Sequence, residues 1–358
     1  MLAQLLTFTL GLVALVAGAE ALVRGASRMA LSFGLSPLVV GLTIVAFGTS
    51  APELAVSLGA SLDGKPDLAI GNVIGSNIAN TLLILGVSAI IVPLSVAGQI
   101  IRQEVPILIA VTLLLLGFAY NGVITRAEAA VLLCLMLAYT TFLVVQSRRA
   151  STQTKAEFEG EMPPDSGWDR HWSVQLALVA GGLGLLVLGA DWLVSAAVEV
   201  ARALGVSDLV IGLTVVAIGT SMPEIATSIL AALRGERDIA VGNVVGSNLF
   251  NILGCLGLAG VGSSAGLPVP QAALSFDLWV LLAVSFACLP VFLTGREIAR
   301  WEGFVFLGYY LAYTAFLILK AQEHAALPLF SSAMLGFVIP LTALTLGVSM
   351  IRDRRRTA

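Results

Sequence analysis

Charge is scarce in this chain. Lysine, arginine, aspartate and glutamate make up 11% of its 358 residues, less than half the share of about 25% usual in soluble domains. Hydrophobic residues reach 58%, and the mean hydropathy is +0.97. That balance excludes a water-soluble globular enzyme and a basic nucleic-acid binder, and it implies an all-α polytopic membrane protein. Histidine is nearly absent: His171 and His324 flank apolar segments and offer no paired ligand set. Cys134, Cys255 and Cys288 lie in apolar segments without CxxC spacing and read as small buried hydrophobes. No charge precedes Glu20. The basic start of a secretory signal is therefore missing, and residues 1–24 read as a retained first helix.

What the chain has in quantity is apolar runs near the length of about 20 residues that a bilayer requires. They fall near 2–24, 37–60, 69–93, 100–120, 126–146, 173–200, 208–232, 239–262, 273–294, 301–320 and 328–351. This predicts eleven helices: five in residues 1–146, a polar linker at 147–172, five more in 173–320, and an extra helix with a basic tail in 321–358. Lysine and arginine set the orientation. With the N-terminus outside and the C-terminus in the cytoplasm, 15 of the 19 basic residues fall on the inner side, and Lys65, Arg126, Arg202 and Lys320 on the outer. Five spans precede the linker, so the second set enters from the opposite side, an inverted-topology repeat.

The repeat is visible residue by residue. Residues 41–58, GLTIVAFGTSAPELAVSL, recur 171 positions later as GLTVVAIGTSMPEIATSI, and 41–80 matches 212–251 at 24 of 40 positions. Upstream, Gly18-Ala19-Glu20 faces Gly189-Ala190-Asp191. Both motifs break an apolar run with a proline, Pro52 or Pro223, which a helix interior tolerates poorly. Each also plants a carboxylate, Glu53 or Glu224, where one costs at least about 2.5 kcal/mol. No basic residue lies in 41–58 or 212–229 to pair with it, so both glutamates read as functional. Glu20, one turn from Arg24, reads as part of an interfacial salt bridge, and Asp191 is left open.

Helical spacing gathers Ala46, Thr49, Ser50, Glu53 and Ser57 on one face, with Ala217, Thr220, Ser221, Glu224 and Ser228 as their counterparts. In the next helix Asn72, Ser76 and Asn80 are spaced by four, matched by Asn243, Ser247 and Asn251. Gly71 with Gly75, and Gly242 with Gly246, form surfaces for close helix approach. Every donor offered is oxygen. That disfavours soft metals and suits hard cations such as sodium and calcium.

GTSAPE and GTSMPE, each followed by GNVxGSN, resemble the two alpha-repeats of the sodium/calcium exchanger family, of the bacterial and archaeal type, within the calcium/cation antiporter superfamily. The likeness covers residues 1 to about 320. It implies a ten-helix exchanger core with helices 2, 3, 7 and 8 around the ions, and helices 1 and 6 sliding across them. It also implies a prokaryotic cytoplasmic (inner) membrane, transported calcium and sodium, no cofactor and no enzymatic step. Family ligand positions map to Ala46, Thr49, Ser50, Glu53, Ser76 and Asn80, and to Ala217, Thr220, Ser221, Glu224, Ser247 and Asn251. Many members carry aspartate at one of the positions held by Asn80 and Asn251. Potassium-dependent members carry it at the second, so Asn251 speaks against potassium coupling. The eleventh helix lies outside the pattern and is a candidate peripheral or oligomerisation element, the oligomeric state itself being unspecified. The linker has no room for the calcium-sensing domains of animal exchangers. A proton/calcium antiporter using the same glutamates is the alternative, although its dedicated members carry GNxxEH-like repeats. A passive channel would need a continuous pore. A hydrolase would need an activating base, and neither 41–58 nor 212–229 holds a histidine or lysine.

Overall fold

The computed structural model describes residues 2–33, 35–149, 171–203 and 217–357. Most of the expected linker (150–170) and the opening of the seventh expected span (208–216) lie outside the described residues. The described residues are helical almost throughout. In chain order, α1 is Leu2–Phe33, α2 Pro37–Thr49, α3 Ala51–Leu62, α4 Pro66–Ile91, α5 Ile100–Ala119 and α6 Arg126–Arg149. Then come α7 Trp172–Ala203, α8 Ala217–Thr220, α9 Met222–Leu233, α10 Arg237–Gly262, α11 Ala273–Leu293, α12 Arg300–Ala321 and α13 Leu327–Thr357. Nine described helices are long and apolar enough to cross a membrane, and the bent pair of α2 and α3 makes a tenth crossing.

Local chemistry explains the breaks. Ser36 caps α2, its hydroxyl accepting from the Val39 amide at 3.2 Å, and Pro37 follows at the first helical position. The helix ends at Ser50 (φ −82°, ψ 8°), and α3 leaves at an angle of 46°. Pro52 therefore stands in the first turn of α3, where its missing N–H has no intrahelical partner to lose. Ser221 (φ −88°, ψ 9°) and Pro223 repeat the arrangement between α8 and α9. The second and seventh spans, expected as single runs, are thus each two helices. The break falls at the serine rather than the proline. Single π-turns at Asn80–Ile84 in α4 and Asn251–Cys255 in α10 stand at equivalent points of the repeat. Such turns insert a residue into the helix and occur often at functional sites.

The halves exchange equivalent contacts. Four two-residue strands, β1 (Leu94–Ser95), β2 (Val123–Ile124), β3 (Leu267–Pro268) and β4 (Glu297–Ile298), form two antiparallel ladders, β1 with β4 and β2 with β3. Each ladder joins one half to the other. Helices α4 and α10 form the centre: 72% and 89% of their apolar windows are buried, against none for α13.

Helices α1 and α7, each 32 residues and so about 48 Å long, lie against one another along a glycine seam. A Cβ on Gly182 would stand 2.7 Å from the Leu22 amide nitrogen and 2.8 Å from the Gly18 carbonyl oxygen, and one on Gly18 would stand 2.8 Å from the Gly182 carbonyl oxygen. Gly11 and Gly189 meet in the same reciprocal way, each Cβ position 2.8 Å from the other's carbonyl oxygen. The first helix runs nine residues past its expected end at 24 because its last turns find partners on α7: Gly25 packs against Gln175, whose side-chain amide donates to Ser32 at 2.8 Å. Glu20 pairs with Arg234, just past the end of α9, so its bridge ties the two halves together. Asp191 is exposed. Of the expected glycine surfaces, Gly242 and Gly246 pack on the α2 backbone at Leu38 and Leu42. The positions equivalent to Leu38 and Leu42 in the second repeat, 209 and 213, lie outside the described residues.

Candidate functional site

Because α3 and α9 begin just after the breaks, Glu53 and Glu224 each fall in the first turn of a helix. There the positive end of the helix dipole favours a carboxylate. Both are 0% exposed. Their partners are crossed: the Ser50 hydroxyl donates to Glu224 Oε1 at 3.0 Å, and the Ser221 hydroxyl donates to Glu53 Oε1 at 3.3 Å. The second oxygen of each, Oε2, is buried without a hydrogen-bond partner among the described residues.

Hydroxyls and amides surround the pair. Thr49 donates to Asn243 Oδ1 at 3.1 Å, and the Asn243 amide donates to Ser228 at 3.0 Å. In the other half Asn72 donates to Ser57 at 2.9 Å and to the Glu53 carbonyl at 3.2 Å. Ser247 donates to the Ala46 carbonyl at 3.5 Å. Ser76 and Asn80 are buried, and both side-chain atoms of Asn80 lack a partner. Asn251 is buried, and its amide donates to Asn77 Oδ1 at 3.2 Å. Thr220 is half-buried. The side chain of Ala217 lies outside the described residues.

Glu53 and Glu224 are not the only carboxylates within the spans. Glu104 (α5) and Glu302 (α12) are also buried, and Asp277 lies in the first turns of α11. Spacing places these near helix ends, which is why a hydropathy reading leaves them at the boundaries. Their surroundings differ from those of the central pair. Glu104 accepts from Gln99 at 2.9 Å, Gln103 at 2.7 Å and Tyr139 at 2.6 Å, so both its oxygens are occupied. Asp277 accepts from Tyr313 at 3.0 Å. Glu302 caps its own helix at the Ala299 amide, 2.8 Å away, although its other oxygen has no partner. The central glutamates stand apart in being two facing carboxylates, each with a vacant buried oxygen.

Sequence reasoning missed Asn77, Thr81, Asn248 and Cys255. Asn77 donates to the Asn248 carbonyl at 3.2 Å, Asn248 donates to Thr81 at 2.8 Å, and the Cys255 thiol donates to Asn251 Oδ1 at 3.5 Å. Cys255 and Cys288 are buried as expected of small hydrophobes, whereas Cys134 is exposed, and Cys255 also touches Asn251. The signal for the two asparagines lay in the repeated GSN tripeptide, whose last residue sits beside the face spaced by four.

Among the described residues, no group of three or more His, Cys, Asp or Glu side chains could hold a metal ion. A cation here would therefore rest on two carboxylates completed by hydroxyl, amide and carbonyl oxygens. That donor set suits hard cations held by flexible coordination.

A family model described as sodium/calcium exchanger protein matches residues 3–145 and 174–319. The chain is 40% identical over 318 residues to CaxA of Alkalimonas amylolytica, named as an antiporter, covering 87% of this chain and 98% of that one. It is 34% identical over 343 residues to the sodium/calcium exchanger MaX1 of Methanosarcina acetivorans, covering 87% and 97%. A solved structure of the sodium-calcium exchanger NCX_Mj, soaked with 10 mM Na+ and 10 mM Sr2+, superposes with a TM-score of 0.74 at 32% identity, covering 87% of this chain and 97% of that one.

Proposed function

The chain belongs to the sodium/calcium exchanger family, and on that premise we propose that it exchanges sodium for calcium across a prokaryotic cytoplasmic membrane by alternating access. The observation that carries the reading is the crossed pair: each glutamate is held by the serine of the other half and keeps one buried oxygen without a partner. Uncompensated buried carboxylates are costly unless a cation completes them. Two of them match the charge of one calcium ion. Thr49, Ser50, Ser76, Asn80, Thr220, Ser221, Ser247 and Asn251, with the carbonyls of Ala46 and Ala217, supply the neutral oxygens over which sodium ions spread.

The inverted arrangement of the halves is supported by the reciprocal contacts of the strands and the glycine seam, and by the placement of basic residues with the N-terminus outside and the C-terminus in the cytoplasm. Helices α1 and α7 pack backbone to backbone and so move as one body across the pairs α2–α3 and α8–α9. The crossing is allowed when cations satisfy the glutamates and disfavoured when the glutamates are bare. A ligand drives it only through its different affinity for the two states.

Calcium uptake into vesicles under imposed sodium, potassium or proton gradients tests the reading. An inward calcium flux driven by an outward sodium gradient, and by neither of the others, is the expected result. The same site makes a second expectation, that sodium and calcium compete. Calcium affinity in detergent should fall steadily as sodium is titrated. A flat response up to saturating sodium would remove the shared site and bring forward proton coupling through the same glutamates.

A further inference from the structure

The proposed cation site contains two amides, Asn80 and Asn251, and an amide has a right and a wrong end. Oδ1 coordinates a cation, whereas the Nδ2 hydrogens repel one. We propose that Asn77 and Asn248, whose side chains bond across the interface to Asn251, the Asn248 carbonyl and Thr81 rather than to either glutamate, are positioning residues that set which end of these amides faces the ion. The inference rests on the reading of the site as a cation site.

The polarity can be traced from a fixed point. The backbone carbonyl of Asn248 only accepts, and Asn77 Nδ2 donates to it at 3.2 Å. That bond turns Asn77 Oδ1 the other way, where it accepts from Asn251 Nδ2 at 3.2 Å. With its nitrogen engaged, Asn251 presents its oxygen. Among the described residues that oxygen accepts only from the Cys255 thiol, at 3.5 Å, a weak donor that a cation displaces readily. A single backbone carbonyl thus dictates, through two amides, that position 251 offers oxygen.

Asn248 is the counterpart of Asn77, offset by 171 positions. Its Nδ2 is likewise anchored, donating to the Thr81 hydroxyl at 2.8 Å. The equivalent second bond would run from Asn80 Nδ2 to Asn248 Oδ1. Both of those atoms are buried, and neither has a partner among the described residues. The relay is therefore closed at Asn251 and open at Asn80. One amide is already oriented for a cation, and the other is oriented when Asn80 Nδ2 reaches the waiting Asn248 oxygen.

The test uses a property of carboxylates: they have no wrong end. Calcium affinity is measured by equilibrium binding of radioactive calcium to purified full-length protein in detergent, for the wild type, Asn77→Ala, Asn251→Asp and the double variant, with the thermal midpoint of each. Asn77→Ala should weaken calcium binding about tenfold in the wild-type background, but less than about twofold where Asp replaces Asn251. Equal losses in both backgrounds, as a packing role for Asn77 would give, overturn the proposal, and so does no loss in either. Asn77→Asp guards against an alanine variant that does not fold. It keeps the oxygen that accepts from Asn251 and loses the donor to Asn248, so it should lower the thermal midpoint while binding calcium at least as well as the wild type. Weakening as deep as that expected of the alanine variant overturns the proposal. A wild-type protein that binds neither calcium nor sodium overturns the site reading itself, and this proposal with it.

Discussion

Glu53→Gln and Glu224→Gln should each abolish calcium transport while leaving the protein folded. Glutamine keeps the shape of the side chain and an oxygen to accept from Ser221 or Ser50, so the crossed bonds at 3.3 and 3.0 Å survive. What is lost is one of two negative charges facing a dication. At about 4 Å and an effective dielectric of 20, one unit-charge pair is worth about 4 kcal/mol, and each 1.4 kcal/mol is tenfold in affinity. Calcium binding should therefore fall by about a thousandfold or more, and flux to background. Stability should move the other way. In the absence of ions the parent buries two carboxylates with vacant oxygens, and neutralising one removes that cost. An ion-free glutamine variant should melt no lower than the parent and should gain little from added calcium. Parent-like calcium flux in a well-folded Glu224→Gln protein would end the assignment.

The second large effect concerns the seam between α1 and α7, where neighbouring glycines should respond with opposite signs. A Cβ at Gly182 would sit 2.7 Å from the Leu22 amide nitrogen and 2.8 Å from the Gly18 carbonyl, backbone atoms that cannot swing aside, whereas one at Gly181 meets nothing within 4 Å. Gly182→Ala should force the helices apart and cost about 1–3 kcal/mol or more. Gly181→Ala should be neutral or gain up to about 1 kcal/mol from helix propensity. Thermal midpoints of the two variants in detergent give the comparison directly. Since the seam holds the proposed moving unit together, exchange should also slow in the Gly182→Ala protein and persist in the other. Equal midpoints would show that the seam is not tight.

How much of this was legible in the sequence depends on whether the information was local. The duplication, the broken motifs and the helix faces carrying Glu53 and Glu224 all lie within short windows, and helical spacing alone gathers them. The glycine seam is written at intervals of seven, in Gly11, Gly18 and Gly25 and again in Gly182 and Gly189. Yet nothing in either helix says that the other half supplies its partner. Asn77 and Asn248 sit beside the face marked by Asn72, Ser76 and Asn80, and their task exists only once α4 lies against α10. Glu20 lies one turn from Arg24, and its carboxylate pairs with Arg234, more than two hundred positions along the chain. Two-residue strands such as Leu94–Ser95 have no periodicity to detect. Each of these is a contact between halves, which a reading of one helix at a time does not contain.

The strand ladders bear on how the protein is made. Each joins residues about two hundred or one hundred and forty positions apart: Leu94 pairs with Ile298, and Ile124 with Leu267. During synthesis the first half reaches the membrane with the backbone groups of 94–95 and 123–124 still unpaired. Unmet polar backbone near lipid costs several kcal/mol per group. Ile124 cannot settle until about three quarters of the chain has been made, nor Leu94 until about five sixths has. The first five helices, released alone, would therefore be an unfinished object, open to capture by quality-control proteases. Completion of the second half is what closes the fold at both of its ends.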